Sequence, residues 1–208
     1  MIFKSMSLGP LGTNCYIVHN VNDAIVIDPS GDPEKIIKYL NDKNITPKAI
    51  LLTHGHFDHI GGVDQVRNYY DINVYIHEEE SAWLENPKLN GSLLFIGSEI
   101  KTKSAEHYLT PGKLQIGTIS FDIIHTPGHS PGSVSFIFHE QEHVISGDVL
   151  FNRGIGRTDL PGGDIKQLEQ SIRNDLYKLP ESYTVSPGHG PETTIGNEKQ
   201  NNPFFSTR

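Results

Sequence analysis

Ala49-Ile50-Leu51-Leu52-Thr53-His54-Gly55-His56-Phe57-Asp58-His59-Ile60-Gly61-Gly62 is an apolar run that ends in three imidazoles and a carboxylate. The first four residues read as a buried strand, because a short unbroken apolar run suits a strand covered on both faces. His54 and His56 are two apart, so on extended backbone their side chains leave the same face. Asp58 and His59 project elsewhere as the chain bends, and Gly61-Gly62 permits a tight entry into a following helix. A turn of this kind is a place to hold metal. Its layout reads as two ligand sets aimed at two adjacent ions rather than four ligands around one.

Outward from that turn, the amino-terminal half reads as strands over 2–7, 16–19 and 24–28, then a helix opened by Asp32-Pro33 with proline at its first position. After the turn come a helix over 63–70, a strand over 74–76 and a short helix over 78–84. From Asn86 to about Lys103 the pattern weakens, and the stretch reads as a packed loop or short-helix excursion rather than a lid. The other half gives strands over 119–125, 134–138, 144–146 and 183–186, with one amphipathic helix over 164–179. Strands first and helices later in each half predict an α/β protein: two mixed sheets with helices outside, a four-layered sandwich. No linker or repeat divides the chain, so one domain over 1–208 is expected.

Four turns share one design. His54 to His59, His129, Asp148 and His189 each follow an apolar strand, with glycine or proline beside the ligand. Strand ends on one sheet edge are neighbours, so ligands distant in sequence can meet there. Five histidines and two aspartates suit two Zn²⁺ or similar ions.

Composition bounds the rest. At 208 residues with a formal net charge of -8, a binder of duplex nucleic acid relying on phosphate neutralisation is not expected. The single Cys15 cannot form an internal disulfide, which fits a reducing cytoplasm. No apolar run reaches the ~20 residues of a membrane span. A soluble cytoplasmic protein acting on a small molecule is the expectation. A closed structural zinc site in a binding module is disfavoured, since such sites are usually rich in cysteine.

The series His54-x-His56-x-Asp58-His59, then His129, Asp148 and His189, resembles the metallo-β-lactamase fold superfamily. Gly12-Thr13-Asn14-Cys15-Tyr16, His125-Thr126-Pro127-Gly128-His129-Ser130 and Ser146-Gly147-Asp148 are similar to its glyoxalase II-like branch. Gly156-Arg157-Thr158-Asp159-Leu160-Pro161-Gly162-Gly163 and Pro187-Gly188-His189-Gly190-Pro191-Glu192-Thr193-Thr194 resemble short bacterial members. The resemblance implies that His54, His56 and His129 bind one metal, that Asp58, His59 and His189 bind the second, and that Asp148 bridges both. A hydroxide shared by the ions would be the nucleophile, with Asp58 orienting it. Zinc is the first expectation, with iron or manganese admissible at the same ligands.

That branch implies a thioester hydrolase acting on S-lactoylglutathione or a related thiol conjugate. A mononuclear iron persulfide dioxygenase is the alternative, and a lactonase the third reading. The longer glyoxalase II enzymes add a helical carboxy-terminal domain that helps hold glutathione, which this chain is expected to lack. Arg157 falls where they have a glutathione-contacting lysine and Asp159 where they have a tyrosine, so two readings stand side by side: Arg157 contacts a substrate carboxylate, or it pairs with Asp159 inside the loop. The six other histidines are expected to be structural or exposed, with His125 the nearest to a supporting role. The oligomeric state is not legible.

Overall fold

The computed structural model describes residues 1–206, packed as two compact units: 1–109 with 115–120, and 110–114 with 121 onward. In the first unit, six strands form one mixed sheet in chain order: β1 (Ile2–Leu8), β2 (Thr13–His19), β3 (Ala24–Ile27), β4 (Pro47–Leu51), β5 (Asn73–His77) and β6 (His107–Leu109). The first three pair antiparallel and the last three run parallel from β3 onward. Parallel neighbours need crossovers: α1 (Pro33–Asp42) links β3 to β4, α2 (Phe57–Ile60) and α3 (Val63–Tyr70) link β4 to β5, and the segment 78–106 links β5 to β6. Ile36 and Leu40 of α1 and Val63 and Val66 of α3 pack on Cys15, Ile17, Val26, Ile50, Val74 and Ile76. Those strand residues alternate along β2 to β5, so they share one face of the sheet.

The segment after β5 is more ordered than its sequence suggests. A 3₁₀ turn covers Glu78–Trp83, and a single helical turn, α4 (Ser92–Phe95), follows Gly91 in the left-handed region at φ 85°. Asn90 is fully buried there, and its amide donates to the carbonyls of Trp83 and Ile100. The excursion is packed, as expected. Strand β6 was not foreseen, because it is a short edge strand without alternation in its sequence.

The second sheet runs β14-β13-β10-β9-β8-β7. Its strands are β7 (Gly112–Ile116), β8 (Ile119–His125), β9 (Val134–Phe138), β10 (His143–Gly147), β13 (Thr184–Pro187) and β14 (Thr193–Thr194), with a small hairpin of β11 (Leu150–Phe151) and β12 (Gly154–Ile155) beside it. Helices α5 (Ile165–Asn174) and α6 (Ile195–Asn201) complete the unit. Leu168, Ile172, Leu176 and Ile195 bury against Ile137, Val144 and Val185.

The single helix expected over 164–179 is two pieces. Asp164 caps α5 by accepting from the amides of Lys166 and Gln167, as an N-terminal aspartate should. The helix stops at Asn174, and a 3₁₀ turn covers Leu176–Lys178. Leu179 precedes Pro180 and is extended at ψ 150°, the conformation that proline imposes on its predecessor. The break lets Leu176 and Tyr177 both bury with Leu168 and Ile172. No helix among the described residues is long and apolar enough to cross a membrane.

Candidate metal centre

In the first unit the ligands gather at the carboxyl end of the parallel strands. Ile27 of β3 lies opposite Leu51 of β4, so the next residues, Asp28 and the Leu52-Thr53 step, stand side by side past the sheet edge. Asp28 adopts φ 49°, a left-handed conformation that aspartate tolerates better than most residues. It then receives the Thr53 amide on Oδ1 at 2.8 Å and the Thr53 hydroxyl on Oδ2 at 2.6 Å. The same Oδ2 lies 2.9 Å from His59 Nδ1.

These bonds decide which nitrogen of each ring faces outward. A carboxylate only accepts, so His59 Nδ1 carries the proton. The Thr53 hydroxyl spends its hydrogen on Asp28 and therefore accepts from His54 Nδ1 at 3.1 Å. Both histidines thus present the Nε2 lone pair. The rings of His54 and His59 lie 4.0 Å apart, and those of His54 and His56 lie 4.8 Å apart at 90°. A ligand nitrogen of His54 and one of His56 come within 4.8 Å of each other.

Asp58 and His59 occupy the first turn of α2. Asp58 Oδ2 accepts the Thr13 hydroxyl at 2.8 Å and stands 3.6 Å from His59 Nε2. Between the first two histidines, the Gly55 amide donates to the fully buried Glu80 carboxylate. Trp83, from the same 3₁₀ turn as Glu80, sets its ring 5.4 Å from that of His56.

The second unit repeats the logic. β10 and β13 are parallel neighbours with Gly147 opposite Pro187, so Asp148 and His189 leave the same sheet edge. β8 is antiparallel to β9, and β9 to β10, so β8 also ends at that edge, with His129 shortly after it. Asp148 Oδ2 lies 3.6 Å from His129 Nε2 and 3.5 Å from His189 Nε2. His129 Nδ1 donates to the Arg157 carbonyl at 2.8 Å, so it too presents Nε2.

The 3.5–3.6 Å spacings are long for N–H···O hydrogen bonds, which centre near ~2.9 Å. Two donor atoms held ~2.0–2.2 Å from a tetrahedral ion sit about 3.3–3.6 Å apart. The donor set and its spacing therefore fit divalent ions. Three imidazoles fixed in one tautomer by backbone, hydroxyl or carboxylate partners are what metal-binding histidines require.

Glycine matters at Gly156. A Cβ there would lie 1.8 Å from the Asp148 carbonyl oxygen and 3.1 Å from His129 Cβ, so only glycine lets that loop close beneath both ligands. His125 Nε2 lies 2.7 Å from the Pro131 carbonyl and braces the turn that carries His129. The Arg157 guanidinium grips Asp159 with two bonds of 2.7 Å, and its backbone carbonyl is what serves His129. Arg157 holds the Asp159 carboxyl down at about 2. Burial, followed by the Asp28 charge, pushes the Cys15 thiol well above its ordinary value, which suits a core residue of β2.

Asp28, Glu80, Thr13 and Thr53 were not singled out as functional in the sequence. An acid at the end of the apolar strand 24–27 was a usable signal for Asp28. Glu80 sits in Glu78-Glu79-Glu80, which reads as a solvated acidic run.

The model of the metallo-beta-lactamase superfamily matches residues 8–189, a span that contains all seven candidate ligands. The chain is 46% identical to the Bacillus subtilis (strain 168) protein named "Probable metallo-hydrolase YqgX", over 99% of this chain and 98% of that one. It is 35% identical to "Hydroxyacylglutathione hydrolase GloC" of Haemophilus influenzae, over 94% and 93%. Among solved structures, BLEG-1 B3 metallo-beta-lactamase superposes with a TM-score of 0.96 at 52% identity, covering 98% of this chain and 99% of that one. TTHA1623 in a di-iron-bound form gives 0.88 at 39%, covering 97% and 100%. The chain belongs to the metallo-beta-lactamase superfamily and has its α/β fold.

Proposed function

We propose that the chain is a hydrolase that uses two divalent ions to cleave a thioester, such as S-lactoylglutathione or a related thiol conjugate. By resemblance to the superfamily, His54, His56 and His129 would hold one ion, Asp58, His59 and His189 the other, and Asp148 would serve both. Zinc suits the imidazole and carboxylate donors, and iron or manganese is chemically admissible. The observation that carries the reading is Asp148 Oδ2, poised at ligand–ligand spacing from both His129 and His189. The di-iron form of TTHA1623 and the name of the Haemophilus relative support the metal count and the substrate class.

Bound ions would supply a water acidic enough to attack at neutral pH and positive charge for the oxyanion formed at the carbonyl. The chain's residues do the rest. Asp58 orients the attacking water, and the Thr13 hydroxyl fixes the Asp58 carboxylate for that task. Asp28 and the Arg157 carbonyl keep protons on the Nδ1 atoms of His59 and His129, which holds each Nε2 as a ligand. In the reaction a C–O bond forms, the C–S bond breaks, and the thiolate leaves. Contact of Arg157 with a substrate carboxylate would compete with Asp159 for the same guanidinium.

The test is elemental analysis of protein purified without added metal, paired with a panel of thioesters, lactones and a β-lactam. Two ions per chain and thioester turnover are expected. One ion, mostly iron, with oxygen uptake on persulfides would overturn the reading. Preferential turnover of the β-lactam would move the substrate class towards that of BLEG-1.

A further inference from the structure

Leu93-Leu94-Phe95-Ile96 are consecutive apolar residues that α4 and its end leave exposed, with Leu94 69% and Phe95 42% accessible. Leu89, one turn earlier, is exposed as well. A contiguous apolar patch on a soluble protein marks a place where something binds. A loose loop tip would be a poor reason for such a patch, and this segment is not loose. Asn90 Oδ1 accepts the Ser92 amide, the Ser92 hydroxyl accepts the Ile100 amide, and the Asn90 carbonyl accepts the Phe57 amide at 3.0 Å.

The last bond joins the patch to the ligand turn. Phe57 lies between His56 and Asp58, and its ring stacks on Phe95 with centroids 5.9 Å apart. A molecule reacting at these ligands therefore has a rigid apolar shelf one ring away. No charged side chain occurs between Lys88 and Glu99, so the shelf offers nothing to carboxylates such as those of glutathione.

We infer that Leu93 to Ile96 form the specificity shelf of the site and select thioesters carrying an apolar arm of several carbons. This inference rests on the thioester reading and adds the substrate class to it. The arm lies along Leu94 and Phe95 while the carbonyl sits at the ligand turn. Each methylene that reaches the shelf should raise kcat/KM by about two- to fourfold, the gain expected from partial to full burial of a CH₂.

The experiment uses the metal-loaded chain and two substrate series. One carries acetyl, butyryl and hexanoyl groups on N-acetylcysteamine, and the other carries an acetyl group on thiols of increasing alkyl length. Non-hydrolysable thioethers of the same lengths are titrated by calorimetry, so binding is read without turnover. In at least one series kcat/KM should climb with length and the thioether Kd should fall in parallel. Leu94→Ser should flatten both slopes and Leu94→Met should restore them, whereas Val21→Ser, at an exposed apolar residue in the turn between β2 and β3, should leave them unchanged. Slopes that are flat in the wild-type chain overturn the shelf. So does a dimer, seen by sedimentation at assay concentration, that Leu94→Ser dissociates, since a second copy then covers the patch. A Kd that falls with length while no thioester turns over would retain the shelf and sink the thioester reading.

Discussion

Asp28 Oδ2 accepts the Nδ1–H of His59 at 2.9 Å, and both side chains are buried. The same oxygen takes the Thr53 hydroxyl, whose oxygen in turn accepts from His54 Nδ1. One carboxylate, itself outside the ligand set, thereby fixes two candidate ligands. It can do so because parallel β3 and β4 end in register.

Asp28→Asn should keep the backbone, since asparagine also tolerates the left-handed conformation found there. It replaces a charged acceptor with a neutral amide opposite His59. Metal affinity should fall about 10- to 100-fold, the usual loss when such a partner is removed. Competition against a chelator of known affinity measures this. Unchanged retention of metal would show that Asp28 is only a structural acceptor.

Glu80→Leu removes the acceptor of the Gly55 amide inside the turn that presents His54 and His56. Leaving a buried donor unsatisfied costs about 1–3 kcal/mol. Thermal unfolding should show that loss, together with reduced metal occupancy. Glu80→Gln keeps an oxygen at the same reach and should recover most of both.

Gly156→Ala places a methyl where the Asp148 carbonyl already stands. The loop must move, at about 1–3 kcal/mol for an overpacked position, and Asp148 and His129 move with it. Denaturant unfolding should register the destabilisation. Metal content should drop below the wild-type stoichiometry even in the folded fraction.

The exposed Arg157–Asp159 pair has its own pH window. Arg157 hydrogen bonds lower the Asp159 carboxyl from its ordinary 3.8 to about 2. The pair's contribution is therefore present above pH 3.8 and lost as pH falls through about 2. Across neutral pH it should be constant. Arg157→Ala should return the Asp159 carboxyl towards 3.8, as followed by carboxyl chemical shifts in an NMR titration. The backbone carbonyl that serves His129 is retained in this variant, so metal content should stay the same.

The ligand turns were legible because each combines two local signals. An apolar run announces a strand, and glycine or proline beside a histidine or aspartate announces a bend with a ligand on it. Such signals lie within a few residues of each other, so the sequence determined the seven candidate ligands, most strands, and the helices over Pro33–Asp42 and Val63–Tyr70. It overextended the helix beyond Asn174, because apolar spacing continues past the point where packing and Pro180 end it.

What only the tertiary structure decided is which side chains support those ligands. Asp28 meets His59 through strand register, Glu80 meets Gly55 because a 3₁₀ turn folds back after β5, and Gly156 underlies Asp148 through a hairpin return. Each partnership spans elements whose spacing in sequence carries no periodic signal. Hydrogen-bond reach is a property of positions in space, and the chain supplies those positions only once its sheets are paired.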